Sequence, residues 1–188
     1  VNEHPTIDLE KLKRIKAGDL QAFNEMMLFY ERAIFNHLYR LTGSKDDAAD
    51  LAQDTFFKVY RFRDRIDVTK NFKSWLYKIA TNTAYDWLEK KGKFSQIPLT
   101  DEDGETKETE LPYYRIDEAM KVDIAEAVSK LKPEYQTVIH LYYSQGFGYE
   151  EIADIMKLPL GTVKTMLHRA KKVLAEKLKN YGTATETT

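Results

Sequence analysis

Lys164, Thr165, His168, Arg169 and Lys172 fall on one face of a helix when successive residues are set about 100° apart. Cationic and hydrogen-bonding side chains gathered in that way suit phosphates and the edges of bases. The opposite stripe, Val163, Leu167, Ala170, Leu174 and Leu178, is apolar and predicts the side that faces a core. Just upstream, Ile152, Ala153 and Met156 recur at helical spacing. Pro159 lacks a backbone donor and disfavours helix at Leu158, so the chain must turn within Lys157-Leu158-Pro159-Leu160 and restart at Gly161-Thr162. A short helix, a tight turn and a second helix with a cationic outer face is the helix-turn-helix layout, in which the second helix enters the DNA major groove. Beside it stands a plainer reading, a solvated basic face on a core helix.

Two further faces carry chemistry. The pattern over Phe72–Lys91 predicts a helix with Phe72, Leu76, Ile79, Ala80, Thr83 and Trp87 inward. Tyr77, Lys78, Thr81, Asn82 and Tyr85 then lie on or beside its outer face. Rings stack on unstacked bases, amides read base edges and cations hold phosphates, so this surface suits single-stranded nucleic acid. Trp75 and Trp87, rings at helical spacing, read by pattern alone as core aromatics. An earlier helix buries Ala48, Leu51, Ala52, Thr55 and Val59 and turns Asp50, Gln53, Asp54 and Phe57 outward. A phenyl ring amid polar groups is costly to leave in water, so either another part of the chain or a partner covers Phe57.

The elements that position these faces are all helical. Ile7, Leu9, Leu12 and Ile15 predict a short helix that stops at Gly18, and Asp19 caps the next, with Leu20, Phe23, Met27, Tyr30, Ile34, Leu38 and Leu41 as its stripe. Ser44-Lys45-Asp46-Asp47 resembles a capping box, and Arg61–Asn71 is a charged connection. From Gly92 to Pro112 the pattern dissolves into acids, Thr and Gly, the composition of a linker. A second unit starts near Ile116, with Ala119, Met120, Ile124, Val128 and Leu131 on one helix. Pro133 opens another, carrying Val138, Ile139 and Tyr142 and ending at Gly146. The expected fold is all-α: two small helical domains, 1–93 and 116–182, joined by a flexible acidic linker, 94–115, with a tail at 183–188.

A net charge of −1 hides a strong polarity. Leu160–Tyr181 carries six basic residues against Glu176, and Lys70–Lys93 carries six against Asp86 and Glu89. Between them Asp101–Glu118 holds eight acids against Lys107 and Arg115. Phosphate binding depends on the local patch rather than the total. The chain has no Cys, which excludes disulfides and thiolate chemistry and fits a reducing cytoplasm. VNEHPTIDLEKLKR has no apolar core of signal-peptide length and no run approaches a membrane span, so direct membrane insertion is not expected. His4, His37, His140 and His168 have no metal-ligand spacing, Gly146-Phe147-Gly148 is no nucleotide fingerprint, and no nucleophile motif is present. Asp46-Asp47 and Glu150-Glu151 are charges suited to helix N-termini. The expectation is a binding protein, not an enzyme, with no cofactor and no metal.

In their order along the chain, these stretches resemble the extracytoplasmic-function group of bacterial sigma factors. The resemblance runs through Gly18-Asp19 with Ala22-Phe23, Asp50-Leu51-Ala52-Gln53-Asp54-Thr55-Phe56, and Phe72-Lys73-Ser74-Trp75-Leu76-Tyr77-Lys78-Ile79-Ala80-Thr81-Asn82. It resumes at Leu131-Lys132-Pro133, Gly146 with Tyr149-Glu150-Glu151-Ile152-Ala153, and Gly161-Thr162-Val163-Lys164-Thr165 with His168-Arg169-Ala170. It implies that Asp50, Gln53, Asp54 and Phe57 dock on the clamp helices of RNA polymerase. It implies that Asn82 lines the pocket for a flipped base of the promoter's minus-ten element, with Lys73, Trp75, Lys78 and Tyr85 along the same single strand. Thr162, Lys164, Thr165, His168, Arg169 and Lys172 would read the minus-thirty-five element as duplex. Core RNA polymerase, promoter DNA and an anti-sigma factor are the implied partners. There are two departures. Met166 stands where many relatives have Arg, which predicts a lost phosphate contact, and Gly148 replaces a Ser or Thr cap, worth a few tenths of a kcal/mol, roughly. The rival reading is a two-domain regulator with a similar helix-turn-helix and an effector-binding N-terminal half.

Overall fold

The computed structural model describes residues 7–92 and 126–182, with the side chains of the last helix described only as far as residue 175 and without that of residue 173. Helix α1 (Leu9–Lys16) starts at Asp8, whose Oδ1 accepts from the Lys11 N–H at 2.7 Å. It leaves through Gly18 at φ +93°, the left-handed region where a Cβ is disfavoured. Asp19 then accepts from the N–H groups of Gln21 and Ala22 and caps α2 (Leu20–Thr42), as expected. Ser44 caps α3 (Lys45–Arg61) by accepting from the Asp47 N–H. A single 3-10 turn, Arg63–Arg65, leads on to α4 (Phe72–Lys90), which is capped by Asn71 through the N–H groups of Lys73 and Ser74.

In the C-terminal half, residues 126–129 are helical and α5 (Pro133–Ile139) carries Pro at its first position, where a missing donor costs nothing. The helical pattern expected to run on to Gly146 changes instead to a π-turn, His140–Ser144. The N–H groups of Gly146 and Phe147 return to the carbonyls of Tyr142 and Leu141, and Gly146 sits at φ +73°. Each bond spans one residue more than its counterpart in a Schellman stop, as a π-turn requires, and the arrangement turns Phe147 back into the interior. Helices α6 (Tyr149–Met156) and α7 (Leu160–Gly182) follow.

Helices α2, α3 and α4 pack pairwise, and α5 and α6 pack on α7. The halves also dock on each other, α6 on α4 and α5 on α2, so one apolar core runs from Leu12 to Leu167. Leu9 and Leu20, expected inward, are exposed, each being the first residue of its helix. Ala119, Met120, Ile124, the linker and the tail lie outside the described residues, and so does the side chain of Leu178.

Candidate functional site

The turn between α6 and α7 is built by Lys157 at φ +55° and by the Leu158 N–H returning to the Ala153 carbonyl at 3.0 Å. The Pro159 carbonyl accepts from Val163, so α7 opens at Leu160, one residue before the expected start. Val163, Met166, Leu167, Ala170 and Leu174 are buried. Lys164, Arg169 and Lys172 are exposed, with Thr162, Thr165 and His168 half-buried beside them. The six residues expected to read duplex DNA therefore share an accessible face. Met166, which stands where many relatives have Arg, lies among the core side chains.

On α3, Asp50, Gln53 and Asp54 are exposed, and Phe57 keeps 65% of its surface in solvent. Nothing among the described residues covers that ring. It borders a groove of about 630 Å³ between α2 and α3, lined by Phe23, Met27, Phe35 and Phe56, with Gln53 at its edge. An apolar groove rimmed by Asn24, Glu31, Arg32 and Gln53 has the chemistry of a protein-docking surface.

The α4 face departs most from expectation. Tyr77 and Thr81, placed outward by the pattern, are fully buried: α6 packs on α4, Phe147 and His37 close on Tyr77, and His37 meets Thr81. The Tyr77 ring meets Phe147 edge-on at 5.2 Å and His37 at 5.0 Å, and burial pushes its phenol pKa up. Lys73, expected on the single strand, is buried too. Its ammonium donates to the Gln145 carbonyl at 2.8 Å and lies over the Phe147 ring. Burial lowers its pKa, and Glu151 acts against that shift. Lys78 forms an ion pair with Asp154 of α6. Glu151 accepts from Asn71 Nδ2 at 2.8 Å and from the Ser74 hydroxyl. Trp75, Asn82 and Tyr85 are half-buried. The structure thus brings Lys73, Trp75, Lys78, Asn82 and Tyr85 onto one helix, and there the C-terminal half occupies Lys73 and Lys78.

The pattern gave no sign of the partners that do this. Glu151 reads as a charge at a helix N-terminus, His37 as a histidine without metal-ligand spacing, and Asp154 carries no reading at all. Phe147 alone had a local signal, a ring following the glycine of a helix stop. Among the described residues no cluster could hold a metal ion and no helix is long and apolar enough to cross a membrane.

A helix-turn-helix whose second helix turns a cationic face to solvent, carried with a separate face that exposes a phenyl ring on an all-helical scaffold, has the make-up of a DNA-binding protein that works beside a protein partner. Family models sharpen this: Sigma-70 region 2 matches residues 28–94 and Sigma-70 region 4 matches residues 121–174. The chain is 30% identical over 180 residues to the ECF RNA polymerase sigma factor SigW of Bacillus subtilis, covering 91% of this chain and 96% of that one. It is 29% identical to the RNA polymerase sigma-H factor of Pseudomonas aeruginosa, over 91% and 93% of the two chains. Among solved structures, the sigma factor RpoE in complex with the anti-sigma factor NepR, from Bartonella quintana, superposes with a TM-score of 0.63 at 28% identity, over 85% of this chain and 98% of that one. The chain belongs to the extracytoplasmic-function (ECF) group of RNA polymerase sigma factors, and it is a transcription initiation factor. The regulator reading falls, because the half it assigns to an effector domain is sigma region 2.

Proposed function

We propose that this sigma factor engages core RNA polymerase through Asp50, Gln53, Asp54 and Phe57 and the α2–α3 groove. Thr162, Lys164, Thr165, His168, Arg169 and Lys172 read the minus-thirty-five element. Lys73, Trp75, Lys78, Asn82 and Tyr85 take the minus-ten element as a single strand, with Asn82 at the flipped base. Residues 1–93 form the polymerase and minus-ten unit and 116–182 the minus-thirty-five unit, joined by 94–115. Catalysis belongs to the polymerase, and the protein works in the cytoplasm. An anti-sigma factor is a further partner, in keeping with the RpoE–NepR complex. The observation that carries this reading is the outward Phe57, 65% exposed on a face otherwise made of acids and an amide.

Purified core polymerase supplies the test. With the full chain added, transcripts should start at defined promoters. Asn82→Ala should reduce permanganate-detected promoter opening more than closed-complex binding. Transcripts identical with and without the protein would refute the reading, and equal opening by mutant and parent would remove Asn82 from it.

A further inference from the structure

Two imidazoles face each other where the halves dock. His37 of α2 is entirely buried and His140, the first residue of the π-turn, nearly so. Their rings stack at 6.0 Å with an interplanar angle of 24°. His37 Nε2 shares a hydrogen bond with Thr81 Oγ1 at 2.9 Å, and His140 Nε2 lies 3.4 Å from the Gln145 amide. The Nδ1 atom of each ring is buried without a hydrogen-bond partner. The charges facing the pair are Arg40 from α2 and Lys73 from α4, both positive, and the Tyr77 phenol of α4 completes the wall. A site of that kind accepts two neutral rings and rejects an added proton.

We propose that the stacked His37–His140 pair is a proton-sensitive gate: acid drives the C-terminal half off α4 and uncovers the surface that the proposed function assigns to the minus-ten strand. Burial, with the neighbouring positive charges, holds His37 down at about 3 and His140 at about 4 in the docked form. On release His140 leaves the site and His37 loses the cover of the C-terminal half, so both pKa values rise toward the ordinary value of about 6.5, His37 less fully because it keeps Thr81 and Tyr77 beside it. Above that value both rings are neutral whether docked or released, and docking is unopposed. As pH falls from about 6.5 toward 4, the released form takes up protons that the docked form refuses, so docking weakens with acid. At pH 5 a ring that recovers its ordinary value multiplies the undocking constant about 30-fold, so the pair together contributes between about 30-fold and an upper bound of about 1,000-fold. Protons gained near Lys73 also make the uncovered face more cationic, which favours phosphate binding.

Because the chain has no cysteine, dyes are easily placed at Asp46→Cys and Ser129→Cys, one exposed position in each half. Energy transfer in the full-length protein, without DNA, should fall between pH 8 and 5 while circular dichroism stays unchanged. In His37→Gln/His140→Phe the fall should vanish, and in His140→Phe alone the acid response should shrink by about 30-fold. If the double variant does not fold, the single variant and an NMR titration of the two imidazoles in the parent still decide. Constant transfer from pH 8 to 5 would overturn the gate. So would an equal fall in the His140→Phe variant, or rings that titrate near 6.5 while the halves stay docked. None of these outcomes touches the promoter assignments, which the polymerase assay tests separately.

Discussion

Helices α4 and α7 carry the same kind of sequence, an apolar stripe backed by basic and hydrogen-bonding side chains, yet they are buried differently. α7 is covered on one side, with Val163, Met166, Leu167 and Ala170 inside and Lys164, Arg169 and Lys172 in solvent. α4 is covered on two, packing on α2 and α3 along one side and on α6 along another. Periodicity reports which residues share a face. It does not report how many neighbours a helix has. The clue lay in composition, because the outer face of α7 holds no Phe, Tyr or Trp, whereas that of α4 holds Tyr77 between cations. A phenol flanked by cations fits a base or another ring equally well, and here the other ring is Phe147.

That contrast can be broken at several points. The largest effect is expected from Tyr77→Ala, which removes a fully buried ring and should lower unfolding stability by about 3 kcal/mol or more in urea titrations, with Lys164→Ala unchanged. A loss below about 1 kcal/mol would mean that this ring is not part of a packed core in solution. Next comes Phe57→Ala, which should weaken binding to core polymerase by about 2 kcal/mol or more while leaving circular dichroism unaltered. Undiminished pull-down would remove that surface from the assignment. Arg169→Ala should flatten preference at one position of the minus-thirty-five element, a change of about 1–3 kcal/mol across a panel of single-base variants. Lys164→Ala should either act at a neighbouring position or weaken all sequences alike with a shallower salt slope. Both variants binding the panel as the parent does would return α7 to a plain basic face. The smallest effect belongs to Asp154→Asn. It breaks a partly exposed pair with Lys78 and should ease undocking by about 0.2–1 kcal/mol, most visibly at low salt in the energy-transfer assay.

Strict local patterns were the readable ones. All five inward residues expected on α3 are buried, and Asp19, Ser44 and Pro133 stand where their capping chemistry put them. The exposed faces of α3 and α7 were readable for the same reason, since one neighbouring stripe decides them. Asn71 was missed as a cap because a charged connection precedes it, and the π-turn because its sequence still reads as helix. The covering of α4 rests on contacts such as Lys73 to Gln145, 72 residues apart in the chain. Nothing in the spacing along a single helix encodes a partner at that distance.

Gly148 leaves the start of α6 without a side-chain cap, and Glu151 closes it from one turn further in. The two carboxylate oxygens of Glu151 have separate duties. Oε2 accepts from the Gly148 N–H at 3.0 Å, inside the helix, and Oε1 accepts from Asn71 and Ser74 across the junction. Parting of the halves therefore breaks one set and leaves the other intact. On the proposed gate, a helix that lets go of α4 does so already finished at its own end, so the helix-turn-helix would come away as a rigid body. Its departure is a change of position rather than a step of unfolding, and the same side chain that holds it in place keeps it whole once it is free.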